Sequence, residues 1–301
     1  VAELVGIGAA VFDTVLTIDS FPQEDTKLQA AESLVQGGGP CATALVTASR
    51  LGIAAEFIGI VGDDYCGRYI LADFKRFGVG TAHIIVKEGC RSFHSVVLLN
   101  LFTGSRTCIW HKGTVPSISS DGIPLSAIRK AKVLHLDGHQ LEGALSAARC
   151  AKEAGVKVCL DAGSICPGIE KLLPLVDFLI PSEEFALKFT NMQDAEQAAA
   201  SLYAEYKPEV VVVTQGSRGG LIYNGSKLHR YPAFEVNVID SNGAGDVFHG
   251  AFIAGYLKGM SHEEAAEFAS AVSAIKCMSL GARESIPSYK ETVAFLKERR
   301  S

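Results

Sequence analysis

Apolar positions along the chain fall into two rhythms. Leu4–Val11, Phe57–Val61, Val133–Leu136, Lys157–Leu160, Phe178–Ile180 and Val210–Val213 are short, nearly continuous apolar runs, the pattern of strands buried on both faces. Between them lie stretches whose apolar residues recur three and four apart. These predict helices through Ala44, Leu45, Ala48 and Leu51, through Tyr65, Tyr69, Leu71 and Phe74, over 142–154, over 195–206 and over 289–299, with a further one burying Ala265, Phe268, Ala269, Val272 and Ile275. Such alternation predicts an α/β fold, a doubly wound, mostly parallel sheet flanked by helices.

The rhythm changes to period two in Phe93–Leu99 and Thr107–Trp110, around Thr103-Gly104-Ser105, which predicts a hairpin. With residues 19–36, which carry Pro22 and a weakly alternating segment, the hairpin builds a small β-sheet lid or dimer surface outside the main sheet. The expected organisation is one α/β domain over 1–301, with a lid from about 14–36 and 89–113.

Helix boundaries carry the chemistry. A β-branched run, Val236–Ile239, reads as a strand leading into Asp240-Ser241-Asn242-Gly243-Ala244-Gly245-Asp246, after which a helix begins. Gly243, Ala244 and Gly245 leave their amides bare, and the helix adds its positive N-terminal dipole, so the turn suits an anion. Asp246 beside it suits a general base that takes a proton from a hydroxyl attacking a phosphoryl group. The same composition also serves as a plain connector, and an Asp in a first helical turn as a stabiliser. Gly37-Gly38-Gly39-Pro40 opens a second glycine-rich helix start, closed by Gly52. Asp63-Asp64 reads as a helix cap, and Ser261 with Glu264 as a capping box.

The first strand is expected to deliver Asp13 at its C-terminal end, the edge where open α/β sheets gather ligands. Asp137, His139 and Gln140 follow another strand and are candidates for holding substrate hydroxyls. His135 and Asp137 share a strand face, but zinc would need further ligands that no neighbour supplies. Thr214-Gln215-Gly216-Ser217-Arg218-Gly219-Gly220 closes a strand with hydroxyl and glycine chemistry that suits phosphate oxygens or an ordinary turn.

Composition narrows the partners. A net charge of −5 spread without blocks argues against nucleic acid or an anionic membrane. Eight cysteines without framework spacing read as buried thiols in a reducing compartment, and no apolar run reaches bilayer length. A soluble, cytoplasmic protein is expected. Walker, His-Glu-x-x-His and Gly-x-Ser-x-Gly motifs are absent from the sequence.

At this point the pattern resembles the PfkB family of carbohydrate kinases, with the ribokinase-like fold. Asp240–Asp246 through Gly250-Ala251 looks like the family's C-terminal signature, and Gly38-Gly39 through Arg50-Leu51-Gly52 like its N-terminal one. Val61-Gly62-Asp63-Asp64, Thr214-Gln215-Gly216 and Gly281-Ala282 are also family-like, and Thr103–Thr107 resembles ketohexokinases. The resemblance implies ATP, Mg²⁺ and a small sugar as ligands, Asp246 as base, and the amides of Gly243, Ala244 and Gly245 on the transferred phosphoryl. It places Asp13, Gly38 and Gly39 at the sugar, and Ser182, Thr214, Gly216, Gly219, Lys276 and Gly281 near the nucleotide. In some members K⁺ is held at positions matching Asp240, Asn242, Ser279, Gly281 and Ser285.

Two positions depart from the family pattern. Thr43 stands where a sugar-binding Asn is usual, and Ser182-Glu183-Glu184-Phe185 replaces Asn-x-x-Glu, leaving Glu183 or Glu184 to serve Mg²⁺ through water. Both departures, with the run Gly245–Gly250, resemble the sulfofructose kinase branch. Lys27, Arg91, Arg106 and Lys112 on the lid could meet an anionic sugar, although exposed strands carry such residues anyway. The expected activity is ATP-dependent phosphorylation of a primary sugar hydroxyl by a homodimer joined through the lid. A nucleoside kinase of the same fold, or a non-catalytic ligand-binding regulator, is the alternative.

Overall fold

The computed structural model describes residues 1–300. In chain order the elements are β1 (Leu4–Ile7), β2 (Val11–Ile18), β3 (Glu32–Gly38), α1 (Pro40–Arg50), β4 (Ala55–Gly62), α2 (Tyr65–Arg76), β5 (Gly80–Lys87), β6 (His94–Asn100) and β7 (Arg106–His111). There follow α3 (Leu125–Lys130), β8 (Val133–Leu136), α4 (Leu141–Ala154), β9 (Lys157–Ala162), β10 (Phe178–Pro181), α5 (Glu183–Thr190) and α6 (Ala195–Tyr206). The chain ends with β11 (Val210–Thr214), β12 (Gly220–Tyr223), β13 (Leu228–Tyr231), α7 (Ala244–Leu257), α8 (His262–Cys277) and α9 (Tyr289–Arg300).

The apolar runs assemble into a nine-stranded sheet ordered β13-β12-β11-β10-β9-β8-β1-β4-β5. Its strands are parallel except where β12 and β13 join antiparallel at one edge. Alternate side chains feed two cores, as the period of a strand requires. Val210 and Val212 pack with α1, α7 and α8, while Val211 and Val213 pack with α4 and α6. Strand order reverses beside β1, between β4 and β8, and that switch opens a crevice at the carboxyl ends of the strands.

A separate four-stranded sheet, β3-β2-β6-β7, contains the expected hairpin as β6 and β7. Two expectations fail here. The run Leu4–Val11 is not one strand: it breaks after Ile7, and Asp13 lies within β2 of the smaller sheet rather than at the end of the first strand. Val236–Ile239 is not a strand either. The amides of Ile239 and Asp240 donate to Cys277 O at the end of α8, at 2.8 and 3.2 Å, so the segment is anchored to a helix and not to a sheet neighbour. β5, β12, β13, α3 and α5 were not foreseen, being short or weakly patterned. The thiols also differ from expectation, for Cys108 is exposed while Cys41, Cys150, Cys159 and Cys277 are buried. Among the described residues no helix is long and apolar enough to cross a membrane.

Candidate active site

The two glycine-rich helix starts meet at the crevice. Asp137, just past β8, accepts from the amides of Ala9 (2.8 Å) and Cys41 (3.1 Å) through Oδ2 and from His139 N (3.0 Å) through Oδ1. A Cβ on Gly8 would stand 2.3 Å from Asp137 Oδ1, so glycine is what admits this carboxylate between β1 and α1. Burial pushes Asp137 up, but His139 and the donated amides outweigh it and hold the group below its ordinary range. Asp137 thus braces the crevice through three amides. His139 Nδ1 stands 3.3 Å from Asp137 Oδ1, at ion-pair range without hydrogen-bond alignment, and that carboxylate raises the His139 pKa.

Asp13 faces the turn before α1. Ser95 Oγ donates to Asp13 Oδ1 at 2.6 Å, and a Cβ on Gly38 would meet Oδ2 at 1.9 Å. Gly39 caps α1 at φ 93°, in the region that favours glycine. Burial raises the Asp13 pKa, opposed by the Ser95 hydroxyl and by the charge of Arg283. Arg283 is itself buried and reaches three elements. Its Nε donates to Thr43 Oγ1 (3.2 Å), Nη2 to Gly38 O (2.8 Å) and Nη1 to the Asp73 carboxylate. Thr43 therefore faces the arginine, as part of the brace behind Gly38.

Across the crevice, Gly243 caps α7 in the left-handed conformation, φ 75°. The amide of Ala244 is engaged with Ser241 O at 3.2 Å, while around Gly245 an added Cβ would meet nothing within 4 Å. Gly245 thus leaves open space at the start of α7. Arg106, on β7 of the smaller sheet, reaches over to donate to Ser241 Oγ at 3.5 Å. Asp246 lies in the first turn of α7, partly buried. Burial first, and the Asp161 carboxylate second, push its pKa up to about 7, against the pull of His249 and Arg106.

A buried pair stands behind Asp246. His249, one turn further along α7, places Nδ1 2.7 Å from Gly245 O and 3.3 Å from Asp161 Oδ2, with Nε2 3.1 Å from Ile180 O. Burial raises the Asp161 pKa. The His135 ring lies 5.9 Å from that of His249, tilted by 36°, with neither ring nitrogen bonded, and burial lowers it to about 3, so it is neutral.

Thr214, Gly216 and Gly219 line a groove of about 640 Å³ with Val236, Val238, Phe248, Ala244 and Gly245. The β-branched run before the nest is thus groove wall. Ser182 caps α5, accepting from Phe185 N and donating to Gly163 O, each at 3.1 Å. Glu183 receives Gln215 Nε2 at 2.7 Å and pairs with Arg218 at the groove rim, whereas Glu184 is exposed and pairs with Lys188. Lys27 is exposed in the segment between β2 and β3. Lys276, expected at the nucleotide, is buried below the nest with its ammonium on the carbonyls of Asp240 and Asn242. Ser279, Gly281 and Ser285 lie in the turn after α8, with Ser285 Oγ donating to Gly281 O at 3.3 Å. Among the described residues no three His, Cys, Asp or Glu side chains group as a metal site.

Sequence reasoning passed over Ser95, Asp161, His249 and Arg283. Asp161 carried a usable signal, because it ends a buried run as Asp137 does. The others are defined by partners 69 to 245 residues away, a separation that no local pattern reports.

Comparison with known proteins follows this geometry. A family model described as pfkB family carbohydrate kinase matches residues 1–289. An uncharacterized sugar kinase of Archaeoglobus fulgidus is 33% identical over 79% of this chain and 97% of that protein. The ribokinase of Haemophilus influenzae is 29% identical over 98% of each. The solved structure of Arabidopsis thaliana ribokinase complexed with ribose and ATP matches at TM-score 0.86 and 28% identity, covering 98% of this chain and 99% of that one.

Proposed function

The chain belongs to the pfkB family of carbohydrate kinases, and from that membership we propose that it transfers the γ-phosphoryl of ATP to a primary hydroxyl of a small sugar. One observation carries this reading: a carboxylate whose pKa is pushed up to about 7 stands in the same helical turn as Gly245, where an added Cβ would meet nothing within 4 Å. A base of that strength holds a proton taken from a hydroxyl, and the Gly245 amide with the α7 dipole stabilises charge on the phosphoryl in flight. The sugar is held by Asp13 and the Gly38 turn. Val236, Val238 and Phe248 supply apolar wall for the purine, with the hydroxyl of Thr214 and the Gly216–Gly219 turn at its polar edge. The four-stranded sheet acts as a lid that carries Arg106 to the nest, where its guanidinium can meet phosphate or an anionic group on the sugar. Mg²⁺ binds through few protein ligands, water and phosphate, and Glu183 or Glu184 would hold a metal-bound water, Glu183 only on releasing Gln215 or Arg218.

The ribokinase from Arabidopsis was solved with ribose and ATP, and a ribokinase-fold neighbour from Escherichia coli, 21% identical, with ATP and Mg²⁺; both lend ATP general support, and the second does so for Mg²⁺. The deciding experiment is an ADP-release panel with ATP and Mg²⁺ over pentoses, ketohexoses, anionic sugars and nucleosides. Turnover is expected with one of the sugar classes; nucleosides preferred over all of them, or no turnover with any acceptor, would remove the proposal.

The base also sets a pH dependence. The reactive form of Asp246 is the carboxylate, which predominates above about pH 7. At saturating ATP, kcat/KM for the sugar is expected to fall about tenfold per unit below that value and to level off above it. A profile flat from about pH 5.5 to 8.5 would assign proton removal elsewhere.

A further inference from the structure

Lys276 is wholly buried in the last turn of α8. Its Nζ donates to Asp240 O at 2.8 Å and to Asn242 O. The Asp240 carboxylate behind it is also buried, and accepts from the amides of Asn242 (2.8 Å) and Gly281 (2.9 Å). Ser285 Oγ closes the arrangement by donating to Lys276 O at 3.0 Å and Gly281 O at 3.3 Å.

These are the atoms that a monovalent cation would need. Asp240, Asn242, Gly281 and Ser285 offer the carbonyl and hydroxyl oxygens that match a K⁺ site, yet an ammonium already takes the first two and a hydroxyl hydrogen the third. A second positive charge placed there would meet the first at contact distance in a water-poor pocket, where like charges repel strongly. K⁺ therefore does not fit these residues. A lysine ammonium carries the same unit charge, and oxygen cages of this kind hold such a charge in place of its water.

We propose that the Lys276 ammonium is a tethered replacement for a monovalent cation, holding the Asp240–Asn242 strap so that the amides that follow it face the nucleotide, and making nucleotide binding independent of K⁺. Lys276 is a positioning residue, absent from the groove lining. Its effect runs through the strap, which leads directly into the left-handed cap at Gly243.

The nucleotide arm of the test rests on the kinase reading; the thermal arm does not. The full chain and Lys276→Ala are compared in KCl, NH₄Cl and tetramethylammonium chloride at equal ionic strength, reading the dissociation constant of Mg·ATP by calorimetry and Tm without nucleotide. The native chain is expected to change less than about threefold in affinity among the salts and to keep one Tm. Lys276→Ala is expected to lose about tenfold in tetramethylammonium and to regain most of it, with a higher Tm, in KCl or NH₄Cl. A native chain that tightens more than about threefold in KCl overturns the proposal, and so does a variant that matches the native chain in every salt or that no small cation restores. If Lys276→Ala does not fold, the native salt series still decides. If Mg·ATP does not bind at all, the kinase reading fails, and a Tm that rises with K⁺ in the variant alone still supports the replacement.

Discussion

Asp246→Asn is expected to lower kcat by on the order of 10³-fold while leaving the dissociation constant of Mg·ATP within about twofold. The amide keeps the shape and the helix start but cannot accept the hydroxyl proton, so the loss falls on the transition state. Because Asp246 stands in the first turn of α7, removing its charge should if anything ease approach of a polyanion. The same substitution should raise stability. With its pKa at about 7, the folded state holds the Asp246 proton more tightly than the unfolded chain does, so stability is fullest in acid and erodes as pH rises through about 7. Asn removes that erosion, and a Tm higher by a few degrees at about pH 8 is expected, with no gain near pH 4. Retained turnover in Asp246→Asn would dismiss the residue as base; turnover and Mg·ATP binding lost together would mean that the substitution damaged the nest.

The order of events along the chain explains what was legible beforehand. Buried parallel strands and the helices that cover them announce themselves locally, so β4, β8, β9, β10 and β11 fall where apolar runs place them. The start of α7 was legible because glycine, an acid and a helical pattern are adjacent in sequence. The sheet that carries Asp13 was not, since a break at Gly8–Ala10 within one apolar run turns the chain from one sheet into another. Val236–Ile239 misled for the opposite reason: β-branched residues suit an extended backbone whether or not a neighbour pairs with it, and here they wall a groove. The charges that tune the site, Asp161 with His249 and Arg283 with Asp73, meet only after the sheet and helices have closed.

Arg283→Met should give the second large effect, and on a different quantity. The guanidinium is buried against the equally buried Asp73 and over the Phe74 ring, 5.8 Å from its centroid. Methionine fills much of the space but leaves Asp73 with only the half-exposed Arg76, whose Nη2 lies 2.9 Å from Oδ1. Stranding a buried carboxylate costs about 3–5 kcal/mol, which for a chain of this size lowers Tm by roughly ten degrees. The sugar KM should rise with it, on the order of tenfold, for two reasons. The Gly38 carbonyl and the Thr43 hydroxyl lose the fork that fixes the turn, and Asp13, already raised by burial, loses a positive charge that opposed that rise. The double variant Asp73→Asn/Arg283→Met separates the two effects, since removing the stranded charge should restore a large part of Tm and none of KM. Arg283→Lys should fall between, keeping the charge without the fork. A single variant with unchanged KM despite lowered Tm would reduce Arg283 to a fold element; KM recovering along with Tm in the double variant would place the sugar's dependence on Asp73 instead.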